Sequence, residues 1–81
     1  MSRLTKAYLA TLKGKKVIFK VVKNFPDIKV KFVENFPDYK VKILDRKAFA
    51  VETIKIEVVD NFEDVKLQKV NHFPDFEVYV E

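Results

Sequence analysis

A four-residue phrase returns along this chain at the same point of an eleven-residue period: Asn24-Phe25-Pro26-Asp27, Asn35-Phe36-Pro37-Asp38, Asn61-Phe62-Glu63-Asp64 and His72-Phe73-Pro74-Asp75. Self-similarity at a fixed short spacing constrains the fold before any local propensity is weighed. A phrase spread over the whole molecule reads as a structural joint between copies of one unit. Two further copies lack the phrase and keep the strand that follows it. They are Val17 to Lys23 and, after a four-residue insertion Arg46-Lys47-Ala48-Phe49, Ile54 to Asp60. The chain thus divides into an N-terminal segment, 1–12, and six β units over 13–81, interrupted at 46–49.

Within each unit, counted from its Asn or His, positions 5, 7 and 9 are apolar almost throughout, as in Ile28, Val30, Phe32 and in Ile54, Ile56, Val58. Positions 6 and 8 are mostly Lys, Glu or Gln. Period-two alternation in β-branched and aromatic residues predicts one half-buried strand per unit. Lys69 at an inward position and Tyr79 at an outward one depart from the pattern and mark an uncovered or reversed face.

Position 10 is apolar too (Val22, Val33, Leu44, Val59, Val70), and adjacent apolar residues that both need burial predict a strand that bends at its end. The four-residue joints are too short for a parallel crossover within one sheet. Consecutive strands are therefore expected to step between sheets around a small core. In the joint, Phe before Pro is expected to be extended, Pro and Asp to make a type I turn, and Asn to close an Asx turn. The Phe is expected to lie buried, capping the core beneath each turn.

In the N-terminal segment Leu4, Tyr8 and Leu12 fall at i, i+4, i+8, with Ser2 as N-cap and Gly14 where a helix C-terminal glycine sits. This predicts a short helix packed on the sheet. The fold class expected is all-β with one short N-terminal helix, a single domain over 1–81.

Phe-Pro-Asp-x-Lys-Val-x-Phe-Val units, six deep with an interrupting segment at Arg46 to Thr53, resemble the small bacterial β-repeat proteins of the septoil-knot family. The resemblance covers 13–81. It implies a chain that winds twice around a compact β core in a seven-crossing torus knot, and it brings no established activity or functional residues.

The chemistry available narrows the function further. Cysteine is absent, which excludes disulfides and thiolate metal sites and suits a reducing compartment. Apolar runs are only a few residues long, so neither a membrane-spanning helix nor a secretory leader is expected, and the location expected is cytoplasmic. His72 is the sole histidine and sits in an Asn slot, where it is expected to make the same turn hydrogen bond; Ser2 is the sole serine and lies at the terminus. A Ser-His-Asp arrangement is therefore not built here. Asp60, Glu63 and Asp64 lack the glycine and ligand count of a calcium loop, and Gly14 is the single glycine, so no phosphate loop exists. No catalytic residue, cofactor or metal is expected.

Charge is lopsided: residues 1–50 hold thirteen basic and four acidic side chains, residues 51–81 three and eight. Two halves lying against each other would neutralise this; a basic surface from the first half would attract an anion. The outward lysines Lys20, Lys29, Lys31, Lys40 and Lys42 are the candidate contacts for an anion or nucleic acid. A charged outer face is also how β proteins suppress edge-to-edge aggregation. Against a nucleic-acid surface, the aromatics that would stack on bases are mostly placed at joints or inward positions. The leading expectation is a non-catalytic structural or protein-interaction module, with self-association through its complementary halves as one mode of interaction; the alternative is a nucleic-acid binder on the lysine face.

Overall fold

The computed structural model describes residues 4–47 and 49–81. A 3-10 helix spans Lys6–Leu12 and is followed by six strands: β1 (Lys16–Val21), β2 (Ile28–Phe32), β3 (Tyr39–Ile43), β4 (Glu52–Val58), β5 (Val65–Lys69) and β6 (Phe76–Val80). They close into one barrel in the order β1-β4-β2-β5-β3-β6, and every ladder is parallel. Consecutive strands do not pair, as the apolar position 10 and the short joints suggested. They step within one closed sheet, however, and short parallel connections do occur in it.

The register explains how such short joints suffice. Ile56 of β4 is the partner of Val21 at the end of β1 and also of Ile28 at the start of β2. Leu67 likewise faces Phe32 and Tyr39, and Val41 faces Lys69 and Phe76. In each case position 7 of one strand meets position 5 of the next, a two-residue stagger in one sense at every ladder. Strong stagger tilts strands steeply in a closed sheet. The end of one strand therefore arrives level with the start of the strand two places on. The joint bridges only two inter-strand spacings, about 10 Å, with no return trip to make.

The chain makes two interleaved circuits: β1, β2 and β3 take alternate places, and β4, β5 and β6 fill the gaps. A step over one strand after β3 would land on β1, so the chain passes β6 and β1 before starting β4. That longer passage contains the insertion at 46–49, with Leu44 N–H donating to the Val78 carbonyl (2.7 Å) and Val51 N–H to the Lys16 carbonyl (2.9 Å). The strands of the basic half thus alternate with those of the acidic half, which disperses the charge asymmetry round the barrel.

Two layers of side chains fill the interior. Position 7 supplies Phe19, Val30, Val41, Ile56, Leu67 and Val78, all fully buried, and position 5 supplies Val17, Ile28, Ile54, Val65 and Phe76 with half-buried Tyr39. Position 9 joins them only in part: Phe32 and Ile43 pack half-buried against the core, while Val21, Val58 and Val80 are substantially exposed at the end of the barrel. Lys69, at that level, sits in solvent with Nζ 4.7 Å from the centroid of the Phe32 ring.

The opposite end is plugged by the helix. Leu9 and Leu12 are buried in the core, with Leu4 and Tyr8 packed against it. The helix is 3-10, and three residues per turn place Leu9 and Leu12 on one face, so the i, i+4, i+8 stripe missed Leu9. Tyr39 Oη donates to the Lys6 carbonyl (2.9 Å) and Tyr8 Oη to Glu52. Thr5 occupies the N-cap position without a side-chain cap bond, and the proposed cap Ser2 lies outside the described residues. Gly14 does take the left-handed conformation expected after a helix (φ 77°).

Candidate functional site

Each joint leaves the barrel on one side of a strand and returns on the other. Asp27 N–H donates to the Lys55 carbonyl (2.7 Å), while the Lys55 N–H donates to Asp27 Oδ2 (2.9 Å). Asp38 makes the same pair with Lys66, Asp64 with Lys29 and Asp75 with Lys40. The carboxylate acts as a one-residue extension of the ladder, satisfying backbone groups of the crossed strand that would otherwise be orphaned. The sequence reading placed the joint's hydrogen bonding on Asn and His72. Those side chains are exposed, His72 lying beside the Phe73 ring with centroids 6.4 Å apart.

The phenylalanines overturn the expectation more fully. Phe25, Phe36, Phe62 and Phe73 are 92, 93, 92 and 93% exposed, so they cap nothing. Their backbone is left-handed, with φ of 54°, 54°, 60° and 55°, not extended. Proline is not the cause, since Phe62 precedes Glu63 and matches the others. The rule that disfavours helical geometry before proline does not forbid φ above zero, and the tight crossing demands it. A bulky side chain in this region is an outlier worth about 1–2 kcal/mol of strain. Within the four copies position 1 admits His and position 3 admits Glu, while Phe and Asp never change. Asp holds the fold at that point. Phe buries almost nothing.

The crossings place these rings around the barrel. The Phe25 joint passes over β4, the Phe62 joint over β2, the Phe36 joint over β5 and the Phe73 joint over β3, which are consecutive strands of the sheet. The remaining arc is crossed by the longer passage, which carries Phe49, 90% exposed. The result is a girdle of phenyl rings on a body of 29 × 26 × 21 Å.

The candidate lysines are not gathered on one face. Lys20 lies on β1, Lys29 and Lys31 on β2, and Lys40 and Lys42 on β3, separated by β4 and β5. Outward cross-strand partners are Lys20 with Lys55, Lys29 with Glu57, Lys31 with Lys66, Lys40 with Gln68 and Lys42 with Glu77. Tyr79, the outward exception, faces Ile18, which is buried on that outer face. Ion pairs between described side chains are Lys6 to Asp38 (3.4 Å) and Lys47 to Glu81 (3.2 Å), and none of the candidate lysines takes part. A depression of about 350 Å³ at the uncapped end is lined by Phe32, Val33, Glu34, Gln68 and Lys69. Among the described residues no group of three or more His, Cys, Asp or Glu is placed to hold a metal ion, so Asp60, Glu63 and Asp64 form no such site. No helix of the described chain is long and apolar enough to cross a membrane.

The 7(1) septoil knot domain family matches residues 13–81, and the chain belongs to that family. An uncharacterized protein of Ureaplasma parvum serovar 3 is 65% identical over 49 residues, which are 60% of this chain and 55% of that protein. The chain therefore spans about half the length of this relative.

Proposed function

We propose that this chain is a non-catalytic binding module that meets its partner through the phenylalanine girdle. The observation that carries the reading is the coincidence of exposure and strain at Phe25, Phe36, Phe62 and Phe73. An aromatic ring held in a left-handed backbone and left in water contributes nothing to folding. Such strain, where the surrounding structure enforces it, marks a site with another use, and exposed aromatics are the anchors of most recognition surfaces. The knotted path belongs to the same proposal. Two circuits interleaved strand by strand would hold every crossing in place without disulfides, making a rigid frame for the rings.

Truncating the rings tests this. Phe25→Ala, Phe36→Ala, Phe62→Ala and Phe73→Ala are each expected to change unfolding free energy by less than about 0.5 kcal/mol, the range of surface substitutions. Losses of about 3 kcal/mol or more per ring, typical of buried phenylalanine, would return the rings to a structural role and remove the proposal.

A further inference from the structure

At the strands crossed by the four phrase joints, the outward residue engaged by the joint aspartate is Lys55, Lys29, Lys66 or Lys40. On β1 and β6, which no phrase joint crosses, the equivalent residues are Ile18 and Glu77. An exposed ring and an outward lysine therefore share a crossing four times, on four consecutive strands, whereas the passage over the next two carries the exposed ring of Phe49 without an equivalent lysine. The joint aspartate is already committed through Oδ2 to a backbone N–H at each crossing. Lys40, Lys55 and Lys66 are exposed and Lys29 is half-buried, and none of them belongs to the ion pairs described above.

From this repeated pairing we infer that the girdle binds single-stranded nucleic acid, the rings stacking on bases and the lysines contacting phosphates. The inference rests on the binding-module reading and supplies its ligand. Aromatic faces interleaved with cations are the general means of holding a single strand without sequence preference. Shape separates this ligand from a protein. The rings point outward from a convex, closed surface, so a flat partner could touch only neighbouring ones, whereas a flexible polymer can follow the curve. Lysine is also depleted at protein interfaces. A receptor made of one unit repeated is matched by a ligand made of one unit repeated. Duplex DNA fits poorly, because its bases are already stacked and it is stiff over about 150 base pairs, far beyond this body. Glu34, Asp60 and Glu63 beside Phe36 and Phe62 moderate the attraction, so binding of micromolar strength dominated by stacking is expected.

The experiment is a fluorescence-anisotropy titration of labelled 20-nucleotide oligo-dT and oligo-rU, a matching duplex and heparin, at 50 and 300 mM salt. Wild type is compared with the Phe25→Ala/Phe36→Ala/Phe62→Ala/Phe73→Ala variant and with Lys29→Gln/Lys40→Gln/Lys55→Gln/Lys66→Gln, each shown by circular dichroism to keep its strand signal. Single strands should bind at least tenfold tighter than the duplex. The ring variant should lose at least tenfold, and the lysine variant should lose affinity together with part of its salt dependence. Absence of single-strand binding at 50 mM salt would overturn the inference. So would equal binding of duplex or heparin, or an unchanged ring variant. None of these outcomes would touch the stability test of the binding-module reading, so the two fail separately.

Discussion

Asp27 and Lys55 close a ring of two hydrogen bonds, Asp27 N–H to the Lys55 carbonyl and Lys55 N–H to Asp27 Oδ2. Asp27 is the buried one of the joint aspartates, and its own carbonyl accepts the Leu4 N–H (2.7 Å), tying the N-terminal segment to the barrel. Removing the carboxylate leaves the Lys55 N–H without its acceptor, a loss of about 1–3 kcal/mol. Asp27→Ala should therefore lower the urea midpoint markedly, Asp27→Asn less because an amide oxygen still accepts, and Asp38→Ala less because that site is more exposed. An Asp27→Ala midpoint equal to wild type would refute the ladder-extension role.

Left-handed backbone at the four phenylalanines gives a second, independent signature. Alanine at Phe36 keeps the unfavourable φ of 54°, whereas asparagine tolerates it. Phe36→Asn should thus be more stable than Phe36→Ala by about 0.5–1 kcal/mol, of the size seen when a conformational mismatch is relieved. Denaturant titration of the two variants side by side decides it; alanine equal to or above asparagine would mean the joint relaxes without the ring.

The strands were legible because positions 5 and 7 alternate with lysines, and those positions are the two core layers. Position 9 has the same apolar composition, yet Val21, Val58 and Val80 are exposed at the barrel end while Phe32 and Ile43 pack against the core. Composition cannot show where a cylinder stops. The joint phenylalanines were misread for a related reason: a repeated large apolar residue implies burial unless the backbone forbids it, and the left-handed φ follows from the crossing geometry. The crossing in turn depends on the two-residue stagger, set by which strands become neighbours, and neighbours here are far apart in sequence. The dispersal of Lys20, Lys29, Lys31, Lys40 and Lys42 is hidden by the same fact. The contrast within the phrase, with His72 and Glu63 admitted at positions 1 and 3 against an unchanging Phe and Asp, is readable in the sequence, but it does not show that the Phe faces solvent.

The helix plug makes a further prediction. Leu9 is fully buried at the mouth closed by the 3-10 segment. Leu9→Ala should destabilise by about 2–5 kcal/mol, comparable to Leu67→Ala within the barrel wall, whereas Thr11→Ala on the exposed side should cost well under 1 kcal/mol. Equal, small effects at Leu9 and Thr11 would show that the segment is an accessory to a self-sufficient barrel.

The insertion between β3 and β4 is required by the topology. It lets the chain pass two strands, β6 and β1, and enter the second circuit out of phase with the first. Deleting Arg46 to Phe49 would restore the uninterrupted eleven-residue period and direct the fourth unit onto the place held by β1. The shortened chain is expected to lose its cooperative thermal transition or to form only aggregates. A monomer that still melts cooperatively would show that the remaining residues can span both strands.

Folding rate follows from the ladders. Every strand pairs only with strands of the other circuit, the nearest in sequence being β2 with β4, so no local hairpin can form first. Loop closure must precede any pairing, and non-local β topologies fold in milliseconds to seconds. Because β1, β2 and β3 are joined only through β4, β5 and β6, no ladder exists until strands of both circuits have met. Refolding from urea is expected to lie at the slow end of that range or beyond it. Stopped-flow refolding complete within a few milliseconds would overturn this expectation.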